Sequence, residues 1–504
     1  MNVRYVAAID QGTTSTRCIL FDRAGRLVSI AQREHTQHFP NPGWVEHDAL
    51  EIWRNTGAVV KEALRRAGAT YADVAAVGLA NQRETVVIWD PSTGQPVTPA
   101  VTWQDTRTAV LAEELRTAGE VGRVEELTGL KPEAYYAGPR LRWLLDHTPG
   151  LRDRAERGEV IGGTMDSWLI WNLTGGPAGG RHVCDVTNAS RTLLMDITTC
   201  AWHPELLDLL AVPRALLPEI VPSIADHGTC TSVLPGIMIG AALGDQQAAL
   251  FGHTCFSPGE AKCTLGSGGF VLMNTGDTQV HSTHGMITTV GYQLAGRPVV
   301  YALEGSIAVT GSLVQWLRDG LKLIRYPAEV ETLALTVPDN GGCYVVPAFA
   351  GLYTPHWRSE ARGVIAGLTS FINRGHLARA VLEATAWQTL EVLEAMEADT
   401  GIRLPALRVD GGMTANNLLM QLLADIIAVP VERQMVAETV SLGAAFGAGV
   451  AAGFWSGPPD LPRDPTPAGR WTPGLAEDDR AKHRGRWRRA VQSAMLWGPD
   501  GEAN

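Results

Sequence analysis

Asp10-Gln11-Gly12-Thr13-Thr14-Ser15-Thr16-Arg17 gathers a carboxylate, an amide, four hydroxyls and a guanidinium into one short stretch. Backbone amides beside a glycine, with hydroxyls and an arginine, make a pocket for phosphate oxygens. An Asp at its mouth can hold Mg²⁺ through the ion's water shell, the arrangement that phosphate-bound magnesium prefers. The same letters also suit a polar turn whose Ser and Thr bond their own backbone. Asp10 before the turn and Arg17 after it favour phosphate. A second cluster, Asn81-Gln82-Arg83-Glu84-Thr85, follows an apolar run. Arg83 and Glu84 offer donors and an acceptor to a neutral polyhydroxylated ligand, or form an exposed loop ion pair. Trp103 either stacks on the carbon face of a polyol or fills a core. Asp245-Gln246-Gln247 ends another apolar run. There Asp245 is placed as a general base or as a plain helix cap. At Asp410-Gly411-Gly412, backbone without side chains lets a flat base or ribose lie against the turn.

The elements that must position these groups follow from hydrophobic pattern and turn chemistry. Val6–Asp22 reads as a hairpin, with Leu27–Ala31 as a third strand of a meander. Asp48 caps a helix running to about Arg66, with Glu51 completing a capping box. Val74–Ala80 is a buried strand ending in the Arg83-Glu84 cluster, the place where α/β proteins put ligand-binding groups. Residues 108–160 read as helical, broken at Gly129, Pro132, Gly138-Pro139 and Pro149-Gly150, with Tyr135-Tyr136 in a break facing a cleft. Asp185–Arg191 reads as a loop with a capping role, and the proline-rich stretch 203–235 as irregular. Ile237–Gly244 is a strand leading into a helix at Ala248. From about 255 the opening pattern returns, with Glu260–Leu265, a Gly266-Ser267-Gly268-Gly269 turn, and Phe270–Asn274. This second hairpin lacks the Asp and the Arg, and its recurrence suggests an internal duplication. A helix then holds Gly311 and Gln315, Cys343–Phe349 is a buried strand, and Leu377–Thr400 reads as a long amphipathic helix. Ser441–Gly449 is a small-residue helix suited to close packing, and the last fifty residues read as peripheral, with a solvated arginine-rich face.

The chain of 504 residues is too long for one core. With 45% hydrophobic and 19% charged residues it reads as an ordinary soluble globular protein. A net charge of −11 argues against general nucleic-acid binding, which needs a basic face. Seven dispersed cysteines without a Cys-x-x-Cys pair fit reduced thiols and a cytoplasmic location. No signal peptide is visible, and no apolar run approaches the roughly 18 residues of a membrane span.

Asp10–Ser15, Asn81–Thr85, Gly244–Gly252 and Asp410–Gly412, in that order at wide separations, resemble the FGGY carbohydrate kinases. Pro42–Asp48 and Thr187–Arg191 add to the resemblance, which covers almost the whole chain. It implies an α/β fold of two duplicated actin/hexokinase-like (ribonuclease H-like) ATPase domains with an interdomain cleft. Residues 1–250 are expected to bind glycerol and phosphate, and residues 251–504 the nucleotide. The implied reaction is phosphorylation of glycerol to sn-glycerol 3-phosphate, with ATP as co-substrate and Mg²⁺ as cofactor. The resemblance makes Asp245 the catalytic base and assigns Arg83, Glu84, Tyr135, Asp245 and Gln246 to glycerol. Trp103 and Phe270 match its apolar wall. Thr13, Thr14, Ser15 and Arg17 match nucleotide-phosphate contacts, and Ser267, Gly311, Gln315, Gly412 and Asn416 further nucleotide contacts. Asp10 and Asp245 lie nearest the metal. A homodimer or homotetramer is expected, with no nucleic-acid partner. The fructose 1,6-bisphosphate site of some bacterial members is not matched, because His227–Pro235 is short and lacks an Arg. Two rivals stay open: the same chemistry on another polyol or sugar, and an actin- or chaperone-like ATPase using nucleotide as a switch.

Overall fold

The computed structural model describes residues 3–462 and 467–497. Strands β1 (Tyr5–Gln11), β2 (Ser15–Asp22) and β3 (Leu27–Glu34) form an antiparallel meander. Helix α1 (Ala49–Ala67) packs on β2 and β3 and returns the chain to β4 (Val74–Asn81), parallel to β1. Strand β5 (Met238–Gly244) joins parallel to β4, giving the order β5-β4-β1-β2-β3. Both parallel strands deliver their carboxyl ends, with Arg83 and Asp245 just beyond, to one edge of the sheet. Helix α2 (Asp245–Gly252) then leads out of this sheet.

The second sheet repeats the plan. Strands β6 (Ala261–Leu265) and β7 (Gly269–Gly276) form the second hairpin, followed by β8 (Ile287–Gln293) and β9 (Val299–Ile307). Helices α3 (Gly311–Asp319) and α4 (Arg374–Thr400) precede β10 (Leu407–Asp410), parallel to β6. Helix α5 (Asn417–Ile427), strand β11 (Val431–Arg433) and helix α6 (Thr439–Ala451) follow. Strand β12 (Gly469–Trp471) and helix α7 (Glu477–Met495) end the described chain. The order is β8-β9-β7-β6-β10-β11-β12. Without the edge strands β8 and β12, this matches the first sheet strand for strand, the duplication that the paired hairpins imply.

Helix α6 crosses from the second sheet to pack on β1, β4 and β5 of the first, and against α2. Its small residues permit that approach. A Cβ on Gly78 of β4 would lie 2.0 Å from the Ala444 carbonyl oxygen, and one on Gly443 would lie 1.8 Å from that of Ala248. Such backbone-to-backbone contact leaves no room for a methyl group.

Several local expectations are corrected. Asp48 does cap α1, accepting the Leu50 amide at 2.8 Å, but Glu51 turns away to accept from the Thr36 amide. Gly138-Pro139 does not break a helix. It lies in the first turn of Ala137–His147, where a proline's missing N–H has no intrahelical partner to lose. The 343–349 strand shortens to Tyr344–Val346, and the 203–235 stretch contains a helix (Pro204–Leu209) and a strand (Glu219–Val221). Helix α4 is buried nearly all round, because it packs against β7 and β9 and also against α5, the helix Glu329–Ala334 and the strand Tyr344–Val346. Nor is α7 peripheral. Its Trp487 is 1% exposed and stacks on Trp387 of α4 with ring centres 6.4 Å apart. Truncating such a buried Trp typically costs about 3–5 kcal/mol.

Candidate active site

The β1–β2 register sets Asp10 opposite Arg17. Asp10 is buried, with Oδ2 3.4 Å from Arg17 Nε and 3.4 Å from Ser441 Oγ of α6. The Arg17 guanidinium also ion-pairs with Glu438, the residue before α6. Burial, with Asp245 and Glu438 nearby, raises the Asp10 carboxyl to about 6 against the pull of Arg17. The turn between them is held from outside. His35 Nε2 and Gln37 Nε2 each donate to the Thr13 carbonyl at 2.9 Å, and Gln32 Nε2 donates to Ser15 Oγ at 3.0 Å. Thr14 is exposed at the tip. With its carbonyl taken from behind, the tip presents the exposed Thr14 to the solvent side.

Arg83 and Glu84 are 5% and 4% exposed, so the exposed ion-pair reading falls. Glu84 holds the left-handed backbone conformation (φ 62°), a strain that side-chain residues rarely adopt without cause. Beneath them lie two residues that sequence reasoning passed over. Glu304 of β9 accepts from Arg83 Nη1 at 2.6 Å and Nη2 at 3.0 Å. Arg191 donates from Nε to Glu84 Oε1 at 2.8 Å and from Nη2 to Glu304 Oε1 at 3.2 Å. Burial disfavours the Glu304 charge, but Arg191 and Arg83 override it and hold the carboxyl at about 2. Glu84 fares otherwise: burial outweighs its arginines and its carboxyl is raised.

Asp245 opens α2, one residue after the N-cap Gly244, and its Oδ1 accepts the Gln246 amide of the first turn at 2.7 Å. Its side chain is a third exposed, and Oδ1 lies 3.4 Å from Arg83 Nε. The Gly244 amide donates to Thr187 Oγ1 at 2.9 Å, which ties the strand end to the turn capped by Asp185. Next to it, Gln246 Oε1 accepts from the buried Lys262 Nζ. A lysine only donates, so it commits the amide oxygen and leaves Nε2 for a ligand. Lys262 was also unmarked by sequence.

The two expected aromatic walls differ in kind. Phe270 lies under the Arg83 guanidinium, 5.8 Å from ring centre to Cζ. Trp103 instead makes a polar link, its indole Nε1 donating to Thr13 Oγ1 at 2.9 Å. Tyr135 donates its hydroxyl to Tyr136 at 2.8 Å, and the Arg191 guanidinium sits 5.2 Å over the Tyr136 ring. Buried Arg140 ties the two segments by donating to the carbonyls of Tyr135 and Trp103.

A cavity of about 740 Å³ opens between the sheets, lined by Asp10, Gly12, Arg17, Asp245, Gln246, Asp410, Gly412 and Glu438 among others. Beside it, α3 abuts the second hairpin. The Gly311 amide donates to the Gly266 carbonyl at 3.0 Å and the Thr310 amide to that of Ser267 at 2.9 Å. Gln315, on the next turn of α3, is exposed. Asn416 caps α5, its Oδ1 accepting the Leu419 amide at 2.8 Å, which leaves its Nδ2 uncommitted. Asp410 Oδ2 accepts from His253 Nε2 at 3.0 Å and from Thr439 Oγ1. Thus Arg17 and Gly412 line one cavity with Asp10, Asp245 and Gln246, while Ser267 and Gly311 form a separate hairpin–helix corner. Among the described residues no cluster of three or more His, Cys, Asp or Glu could hold a metal alone. Two carboxylates on one wall, Asp10 and Asp245, suit an ion that keeps its waters and takes its other ligands from phosphates.

Fold and site define a two-domain ATPase-type protein with a polar cleft. Residues 5–252 match the N-terminal domain and residues 261–452 the C-terminal domain of the FGGY family of carbohydrate kinases. The chain belongs to that family. It is 57% identical to glycerol kinase 2 of Streptomyces coelicolor over 504 residues, 99% of this chain and 98% of that one. The structure of Plasmodium falciparum glycerol kinase with ADP superposes with a TM-score of 0.91 at 36% identity, covering 97% of this chain and 98% of that one. A Lactobacillus acidophilus xylulose kinase, 20% identical with a TM-score of 0.85 over 98% and 96%, shares the fold.

Proposed function

We propose that this enzyme transfers the γ-phosphoryl group of ATP to glycerol, giving sn-glycerol 3-phosphate and ADP. The observation that carries this reading is the position of Asp245. Its partly exposed carboxylate stands between the buried Arg83–Glu84 pair and the cavity that Asp10 and Arg17 line. The names of the relatives above support glycerol and ATP.

Residues 1–250 supply the polyol and phosphate sites, and residues 251–504 the nucleotide site. Arg83, Glu84, Tyr135 and Gln246 hydrogen-bond the glycerol hydroxyls, with Phe270 and Trp103 flanking its carbon chain. Buried polar groups of this kind reject a ligand that lacks hydroxyls, because they would be left unpaired. Asp245 accepts the proton of the attacking hydroxyl as its oxygen bonds phosphorus and ADP leaves. A positioned base of this type contributes about 10²–10⁴-fold. Phosphoryl transfer passes through a loose transition state, so positioning and charge do the rest. Thr13, Thr14, Ser15 and Arg17 hold the phosphates, while Ser267, Gly311, Gln315, Gly412 and Asn416 hold the remainder of the nucleotide. Mg²⁺, held through Asp10 and Asp245, supplies neutralising charge to the phosphates when bound. Seven dispersed cysteines without a Cys-x-x-Cys pair support a reducing, cytoplasmic setting. Exposed Ile365, Leu368 and Phe371, close together in the chain, support self-association as a homodimer or homotetramer.

A coupled ADP assay with a panel of polyols and sugars tests the reading. Glycerol should stand out, and Asp245→Asn should lose most turnover while still binding ATP. Nucleotide hydrolysis indifferent to every polyol would sink it in favour of a nucleotide switch.

A further inference from the structure

We propose that Glu304 and Arg191, neither of which faces the cavity, are positioning residues that set polyol affinity by fixing the Arg83 fork and the Glu84 carboxylate. The proposal rests on Arg83 and Glu84 being the polyol-binding pair.

Glu304 sits opposite Leu272 in the β7–β9 register, is the one charged residue of its strand, and is fully buried. A carboxylate in such a place is expensive unless both oxygens are taken. They are, and by two arginines. Arg83 gives Glu304 both of its Nη groups, the planar two-point match that a guanidinium makes with a carboxylate. That match orients the rest of the fork. Nε then points between Asp245 Oδ1, 3.4 Å away, and Glu84 Oε1, 3.9 Å away. Arg191 repeats the device one step on. Its Nη2 shares Glu304 while its Nε takes Glu84 Oε1, so one oxygen of Glu84 is committed. Glu84 Oε2 takes no hydrogen bond from the described residues and is the oxygen left for a ligand hydroxyl. Two arginines and two glutamates leave the cluster neutral.

Removal of the Glu304 charge would leave two buried cations facing Glu84 and Asp245 alone. Arg83 would then turn its fork onto those two carboxylates and occupy the groups that a polyol needs. The effect should fall on the polyol and spare the nucleotide, whose site lies across the cavity. A merely structural ion pair would instead change stability and both substrates' constants alike.

Wild-type turnover with glycerol is measured first. If it is absent, the substrate reading fails by itself, and the comparison moves to whichever polyol the wild type does phosphorylate. In Glu304→Gln the polyol KM should rise at least tenfold while the ATP KM stays within twofold. Glu304→Asp, which keeps the charge, should fall between wild type and Glu304→Gln. A polyol KM within twofold of wild type in folded Glu304→Gln would overturn the proposal, as would equal rises in both KM values or an Asp variant no better than Gln. Should Glu304→Gln fail to fold, Arg191→Lys decides. It keeps the cation but not the two-point reach, so the polyol KM should rise about fivefold, and an unchanged KM would overturn the proposal.

Discussion

Arg17 of the first hairpin is shared between two carboxylates, Asp10 of its own sheet and Glu438 from the far side of the cavity. If Arg17 serves the nucleotide phosphates, those phosphates must take it from Glu438. The Glu438 side chain is 30% exposed, and a pair so placed is worth at most about 1 kcal/mol. Glu438→Gln should therefore lower the KM for ATP by up to about fivefold and leave the polyol KM unchanged. Steady-state kinetics with each substrate varied in turn would decide. An ATP KM that rises would mean that Glu438 helps to bind the nucleotide.

Asp10 makes a prediction about stability. Burial first, then Asp245 and Glu438, raise its folded-state carboxyl from 3.8 to about 6. For an acid the sign is destabilising: the folded state is penalised wherever Asp10 is ionised. The penalty is full above pH 6 and vanishes as pH falls towards 3.8. At about 1.4 kcal/mol per unit it reaches roughly 3 kcal/mol. Asp10→Asn should thus raise Tm at pH 7–8, lose that gain progressively as pH falls from 6 towards 4, and abolish turnover. A Tm gain independent of pH would show that the carboxyl is not perturbed in this way.

Much of this site is legible in sequence because each motif lies within a few residues of its own strand end. Asp10, Arg83 and Asp245 all follow apolar runs that fold as expected. Glu304, Arg191 and Lys262 escape because their partners are remote. Glu304 meets Arg83 221 residues away, and nothing in Leu303-Glu304-Gly305 announces that encounter. Its one local signal is that it is the lone charge of its strand. Arg191 reads in sequence as the end of a capping loop and of a motif shared with the family, without a site role of its own; the cap is real, and its last residue reaches into the site. Helix α4 misled for a related reason. A 3.6 period marks one buried face and is silent about a second layer covering the other.

Thr187 links the Asp185 turn to Asp245, the proposed base. Its hydroxyl donates to Asp185 Oδ1 at 2.9 Å and accepts from the Gly244 amide at 2.9 Å, one residue before Asp245. Thr187→Val keeps the volume and removes both bonds, leaving a buried N–H unpaired at a cost of about 1–3 kcal/mol. Small displacements of a base are expensive, so kcat should fall about 10- to 100-fold. Thr187→Ser keeps the hydroxyl and should retain most activity. Equal loss in both variants would assign the effect to packing.

The crossing of α6 over α2 provides a test in which two identical substitutions should have opposite signs. Gly443 and Gly485 both lie within helices, where Gly→Ala alone gains about 1 kcal/mol from propensity. At Gly485 nothing lies within 4 Å of the added methyl, and the residue is exposed on α7. Gly485→Ala should therefore stabilise. At Gly443 the methyl would sit 1.8 Å from the Ala248 carbonyl oxygen and 2.8 Å from the Gly252 nitrogen, both backbone atoms of α2. Neither can swing aside as a side chain would, so the helices must separate. The overpacking cost, on the order of 3 kcal/mol, exceeds the propensity gain and gives net destabilisation. Because α2 begins at Asp245, turnover in Gly443→Ala should fall with stability, whereas Gly485→Ala should keep wild-type rates. Thermal unfolding of both variants beside wild type measures the two signs directly, and a stabilised Gly443→Ala would mean that the helices do not meet this closely.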